Sequence, residues 1–184
     1  MHITVSQMNS FRRARKSEAA ALAAFGARTF AETFEAMNTP QDMAAHLASN
    51  FGLAQQAAEL EDPHTITVVV ESDGQIIAYA QVRRQAPPEN VTLEKPIELW
   101  RFYVDRAWHG RGVAQRLMEH AHAAAGELDG QFIWLGVWER NERAIAFYRK
   151  VGFTVVGVKQ FQLGSDLQTD YVMAAAVIKP RPGG

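Results

Sequence analysis

The chain has no cysteine, which excludes a disulfide framework, a thiolate nucleophile and a thiolate metal site. It has almost no net charge: 19 Lys and Arg against 20 Asp and Glu leave a formal −1. Nothing global therefore draws it to nucleic acid or to an anionic membrane surface. Long apolar runs are missing too. No uncharged stretch is long enough to span a bilayer, and the N-terminus lacks the continuous apolar segment of a secretory leader, so a cytoplasmic protein is expected. What remains is ordinary globular material of 184 residues, 47% hydrophobic and 21% charged. That suffices for one substantial core, and neither repeats nor low-complexity segments call for a second domain.

Taken in order, residues 1–10 read as an irregular N-terminal extension, 11–179 as one domain and 180–184 as a loose tail. Phe11–Ala14 can form a first strand, and Ser17 can cap an alanine-rich helix over Ala19 to Phe34. Thr39, Pro40 and Asp42 make a helix start, with an interruption at Asn50 to Gly52 and a resumed helix over Phe51 to Leu60. Thr65–Val70, a turn at Ser72 to Gln75, and Ile76–Val82 read as an antiparallel pair. Prolines at 87, 88 and 96 mark an irregular excursion over 84–96. Further strands are expected at Ile97–Val104, Phe132–Val137, Phe153–Val158 and Asp170–Val177, with Lys159–Thr169 joining the last two. Helices are expected at Gln115–Ala125 and Asn141–Val151. The order is mixed α and β around one sheet rather than a regular βαβ array.

The stretch from Trp100 to Ala114 organises the rest. An apolar extended run meets a turn with Gly110 and Gly112 and then a helix whose Leu117, Met118, Ala121 and Ala125 share a face. A helix start presents unpaired N–H groups and positive dipole density, which suits a phosphate. The two glycines let the backbone come close to an anion and adopt dihedrals closed to other residues; an ordinary tight turn would read the same way.

His109-Gly110-Arg111-Gly112-Val113-Ala114 resembles the central signature of the GCN5-related N-acetyltransferase (GNAT) superfamily: Gln or Arg, two residues, Gly, one residue, Gly or Ala. His109 departs from the usual first residue. A second segment, Asn141-Glu142-Arg143-Ala144-Ile145-Ala146-Phe147-Tyr148-Arg149-Lys150-Val151-Gly152-Phe153, resembles the family's N-x-x-A-x-x-F-Y-x-x-x-G-F pattern. More narrowly, IELWRFYVDRAWHGRG, LGVWERNERAIAFYRKVGF and FQLGSDLQTDYVM resemble bacterial polyamine-acetyltransferase-like members. The resemblance implies a single-domain α/β acyltransferase fold, with a mostly antiparallel sheet flanked by helices and splayed central strands. It also implies transfer of acetyl from acetyl-CoA directly to a primary amine, such as spermidine or spermine, without a metal. Acetylation of a small amine, amino acid or protein N-terminus, and noncatalytic acyl-CoA binding, stand as alternatives.

The resemblance maps roles onto residues. Backbone N–H groups around Gly110, Arg111, Gly112, Val113 and Ala114 would take the coenzyme A diphosphate, with His109 beside them. Phe102 would present the N–H facing the thioester carbonyl, and Val104 would be another cofactor-facing position. Asn141 would contact the pantetheine arm, cap its own helix, or do both. Tyr148 would donate a proton to the departing sulfur, and a packing role is its alternative. An amine with a pKa of about 10.4 needs a proton acceptor at neutral pH. Glu98 is the candidate, with an ion pair to Lys95 or another cation as its alternative.

The remaining polar residues carry blander readings. The histidines show no convergent metal spacing, and His120 and His122 point different ways. The four tryptophans read first as packing, with closure of a pocket as a second use. Arg12, Arg13, Arg15 and Lys16 read as a solvated basic face. The substrate wall is expected from the N-terminal helical region and 84–96. Glu32, Glu35 and Asp42 form an acidic cluster that would suit a polycation, and a free sheet edge near the C-terminus would suit a homodimer.

Overall fold

In the computed structural model, residues 9–178 are described. Among these residues, seven strands form one sheet: β1 (Ser10–Arg13), β2 (Thr65–Ser72), β3 (Gln75–Arg84), β4 (Pro96–Val104), β5 (Phe132–Trp138), β6 (Thr154–Leu163) and β7 (Asp166–Ala176). Their spatial order is β1-β2-β3-β4-β5-β7-β6. Among the described residues, five α-helices flank them: α1 (Ala19–Phe34), α2 (Pro40–Asn50), α3 (Leu53–Glu61), α4 (Val113–Glu127) and α5 (Glu142–Lys150). Every strand pair is antiparallel except β4 with β5. The expected mixed, mostly antiparallel sheet is the architecture found. The readings for 1–8 and 179–184 lie outside the described residues; among those described, no helix is long and apolar enough to cross a membrane.

Strand alternation divides the core into two layers. Val68, Val70, Ala78, Ala80 and Val82 face α4, whose Leu117, Met118, Ala121 and Ala125 bury the stripe that the sequence spacing predicts. Val69 and Tyr79, one residue out of phase, face α1 through Leu22 and Phe25. Below α3, Arg101 is only 3% exposed. It donates to Glu59 (3.0 Å), to the Gln81 Oε1 (3.1 Å) and to the Asn50 carbonyl (2.6 Å), tying β4 to the helical layer.

The ladder between β4 and β5 positions the site. Parallel pairing runs from Pro96↔Phe132 to Glu98↔Trp134 and ends there, although β4 continues to Val104 and β5 to Trp138. A register shift against β3, between Gln81↔Arg101 and Val82↔Leu99, leaves Trp100 as an extra residue and bends β4 at the same place. The expected splay of the central strands is thus a bulge plus an interrupted ladder.

Several local expectations are corrected. The first strand starts at Ser10, one residue earlier than read. Ser17 caps nothing: a short 3-10 turn, Lys16–Glu18, runs straight into α1, and Glu18 is spent on Arg12 at 2.6 Å. The basic run is the solvated face expected, with Arg13, Arg15 and Lys16 exposed, although Arg12 also pairs with Glu71 and Arg13 with Glu127. Lys159–Thr169 is no connector, because β6 and β7 extend to a tight turn at Gly164 and Ser165. Gly164 has φ +58°, and Asp42 accepts from both the Ser165 N–H (2.6 Å) and its hydroxyl (2.9 Å). That long-range clamp cannot be read from local spacing. It also removes Asp42 from the supposed acidic cluster, in which Glu32 is paired with Arg28. Finally, 84–96 packs Val91 against Trp134, Val172 and Ala174 and supplies no wall to the main cavity described next.

Candidate active site

A cavity of about 1010 Å³ passes through the opened β4–β5 ladder. On the α4–α5 face it is bounded by the turn before α4 and the first turn of α5; on the other it is bounded by α1, α2, β6 and β7. Past Glu98, β4 makes no ladder pair with β5, so its backbone on that side is left for a ligand.

The turn before α4 has the backbone the sequence suggests. Gly110 and Gly112 adopt φ +75° and +78°, and a Cβ at either would meet nothing within 4 Å. Conformation, not crowding, therefore requires glycine there. Gly112 is the N-cap of α4 and provides no side chain to cap it; the first helical bond runs from the Arg116 N–H to the Gly112 carbonyl. The N–H groups of Val113, Ala114 and Gln115 consequently have no partner within the helix. An anionic ligand would satisfy them, and this bare cradle is the feature that fits a phosphate-bearing coenzyme.

His109, Gly110, Gly112 and Ala114 border the cavity, as do Glu98, Phe102, Val104, Asn141 and Tyr148. The side chains of the other two cradle residues lie elsewhere: Val113 is buried in the core, and Arg111 lies over the Trp108 ring at 5.2 Å. Only their backbone is available to a cradle. His109 ties three parts together, its Nε2 lying 2.9 Å from the Val104 carbonyl and its Nδ1 2.6 Å from Arg143 Nη2. Guanidinium only donates, so Nδ1 accepts and the ring proton sits on Nε2. The departure from Gln or Arg at this position thus anchors the cradle to β4 and α5.

Tyr148 sits on α5 among Phe102, Phe147 and Phe153. Burial, with a smaller effect from Tyr103, pushes its phenol upward, so the hydroxyl stays protonated at neutral pH. Asn141 Oδ1 accepts from the Ala144 N–H at 3.2 Å, so the capping alternative is realised while the residue also edges the cavity. Glu98 is 3% exposed and its Oε2 accepts from Arg83 Nε at 2.7 Å. Its partner is not Lys95, which pairs with Asp129. Arg83 in turn lies 3.7 Å over the Trp100 ring.

The opposite end of the cavity is aromatic. Phe34 faces Trp138 at 6.1 Å, and His46 stacks on Phe30 at 4.5 Å and meets Phe161 edge-on at 5.5 Å. Burial and the charge of Arg101 hold the His46 imidazole below its usual range. Trp100, Trp108 and Trp138 all border the cavity, whereas Trp134 is core. Sequence reading missed His46, Lys159 and Asp170, which also line it. For Asp170 a signal existed: it shares an alternating face with Val172 and Ala174, and an acid there stands out. Starting the last strand at Asp170 made it look terminal. Among the described residues, no group of three or more metal-ligating side chains converges.

The model of the acetyltransferase (GNAT) family matches residues 21–153. An uncharacterized N-acetyltransferase of Mycobacterium tuberculosis is 33% identical over 162 residues, covering 88% of this chain and 99% of that protein. The N-alpha-acetyltransferase RimI of the same organism is 34% identical over 104 residues, covering 55% and 60% respectively. In fold, the chain matches the PaiA N-acetyltransferase of Thermoplasma acidophilum, crystallised with coenzyme A, with a TM-score of 0.74. That match has 13% identity and covers 92% of this chain and 99% of that one. The chain therefore belongs to the acetyltransferase (GNAT) family and is an acetyl-CoA-dependent acyltransferase.

Proposed function

We propose that the chain transfers the acetyl group of acetyl-CoA directly to a primary amine held between α1, α2 and the β5–β7–β6 end of the sheet. One juxtaposition carries this reading: the uncapped two-glycine helix start, the open β4–β5 ladder and the Tyr148 hydroxyl border one continuous cavity. Acetyl-CoA supplies an activated thioester; the protein supplies position and proton handling. The backbone from Gly110 to Ala114 holds the diphosphate, and Val104 and Asn141 border the pantetheine arm. The Phe102 N–H orients the carbonyl. Tyr148 gives a hydrogen bond and a proton to the departing sulfur. The amine proton leaves to a buried carboxylate bordering the cavity; Glu98, at the split, is the acid that the resemblance names, but it already accepts from Arg83.

A polyamine such as spermidine or spermine is the finer reading that the narrower resemblance suggests. The cavity supports a single ammonium better than a polycation, since Glu32 is paired with Arg28, Asp42 clamps a turn, and Arg101, Arg140 and Lys159 line it. The aromatic wall favours an amine with an apolar body, and the likeness to the RimI N-alpha-acetyltransferase favours a peptide α-amine as second reading. The test is an acetyl-CoA assay against spermidine, spermine, small amines and short peptides, following thiol release and product mass. Preference for a peptide or apolar amine supports this reading, preference for spermine restores the polyamine, and tight cofactor binding without product points to a noncatalytic sensor. A homodimer would use β6, the exposed edge with Val155, Val156 and Val158 at its surface; monomer alone in light scattering over a wide concentration range rejects it.

A further inference from the structure

Asp170 lies on β7 opposite Trp138 of β5 and Lys159 of β6. It is 6% exposed, it lines the cavity, and its Oδ1 has no hydrogen-bond partner. A buried carboxylate oxygen without a partner is costly unless something else satisfies it. Gly136 on β5, two residues past the last β4–β5 pair, has no side chain and so lets Lys159 lie across the strand beside this acid: a Cβ there would collide with Lys159 Cε and would lie 2.8 Å from Lys159 Nζ and 3.2 Å from Asp170 Oδ2. The bare strand thus leads from the split ladder to this acid. Glu98, by contrast, already holds Arg83.

We propose that Asp170 is the residue that binds the acceptor's ammonium group and takes its proton. This rests on the acetyltransferase reading above. The acceptor R–NH3+ loses one proton to the Asp170 carboxylate, giving the neutral amine whose lone pair forms the new C–N bond. The thioester C–S bond breaks, Tyr148 protonates the departing sulfur and is reprotonated by the second amine proton, and Asp170 returns the first to solvent when product leaves. The substrate class follows: a monocationic primary amine whose ammonium meets Asp170 while its apolar body lies against Phe34 and Trp138.

The charged groups facing Asp170 are Lys159 on β6 and Glu139 just past β5. Burial, opposed by Lys159 and aided by Glu139, pushes its carboxyl up to about 6, a range suited to accepting a proton near neutrality. The raised value also fixes the sign of its effect on stability. The contribution of this group is greatest at acidic pH and declines as pH rises through about 6, because the folded state then holds a desolvated charge.

The test is Asp170→Asn, with Asp170→Ser as a second variant, in the full chain. Acceptor kcat/KM should fall at least about 100-fold, the acid limb of the pH profile near 6 should vanish, and acetyl-CoA affinity should stay within about threefold. Thermal unfolding at pH 8 should show the Asn variant as stable as wild type or more so. Lys159→Met should move the wild-type acid limb to higher pH; if Asp170 only neutralised Lys159, that variant would instead mimic Asp170→Asn. Retained turnover in both Asp170 variants, or an unchanged acid limb, overturns the proposal. Wild-type turnover and cofactor binding, measured alongside, report separately on the acetyltransferase reading: failure there is loss of all product, not of the Asp170 effect.

Discussion

The two halves of the cavity are built differently. The half proposed for the cofactor is mostly backbone: two glycines at positive φ, a helix start without a side-chain cap and an interrupted ladder. The half proposed for the acceptor is side chains from α1, α2, β5, β6 and β7 brought together from across the chain. A backbone site tolerates changes in side chains but not in dihedral angles. A side-chain site depends on the packing that holds its contributors in register.

That contrast can be broken by mutation. The largest expected effect is on the support of the acceptor half: Glu59→Ala leaves the buried Arg101 guanidinium without its carboxylate, which should destabilise the fold by about 3–5 kcal/mol. A denaturant midpoint within error of wild type would show that β4 and α3 do not need this pair. Next comes Tyr148→Phe, which keeps the ring and removes the hydroxyl. Turnover should drop about 10²- to 10³-fold with acetyl-CoA affinity intact; a change under about threefold makes the tyrosine a packing residue.

Gly112→Val sharpens the backbone side of the comparison. Forcing a β-branched residue to φ +78° should cost about 1–3 kcal/mol, read by calorimetry as weaker acetyl-CoA binding. Arg111→Ala, which removes a side chain from over Trp108, should change that affinity far less. Equal, near-wild-type affinities for both variants would disprove a backbone cradle. The smallest effect is expected from Asn141→Ser: serine also caps, so stability should hold within about 0.5 kcal/mol while cofactor affinity weakens. Unchanged affinity would leave Asn141 as a cap alone.

What was legible and what was not follows the same division. The glycine turn, the stripe of α4 and the start of α2 at Thr39 were legible because each depends on neighbours within a few residues. The Thr39 side chain accepts from the Asp42 N–H as its spacing implies. Glu98 was legible as a candidate but not its partner, because Arg83 arrives through the β3–β4 register rather than through sequence proximity. Asp170 was obscured by a misplaced strand boundary, and 84–96 was misplaced because prolines mark an excursion without saying where it lands.

By itself the sequence determined the order of elements, the αL glycines before α4 and the family, since these rest on local dihedral preference, periodicity and short motifs. The tertiary structure alone decided where the β4–β5 ladder opens, that Asp42 clamps the β6–β7 turn, and that an acid near the C-terminus borders the same cavity as residues of α1 and α2. Those outcomes depend on strand register and on burial by distant segments. Neither is encoded within any window shorter than the fold.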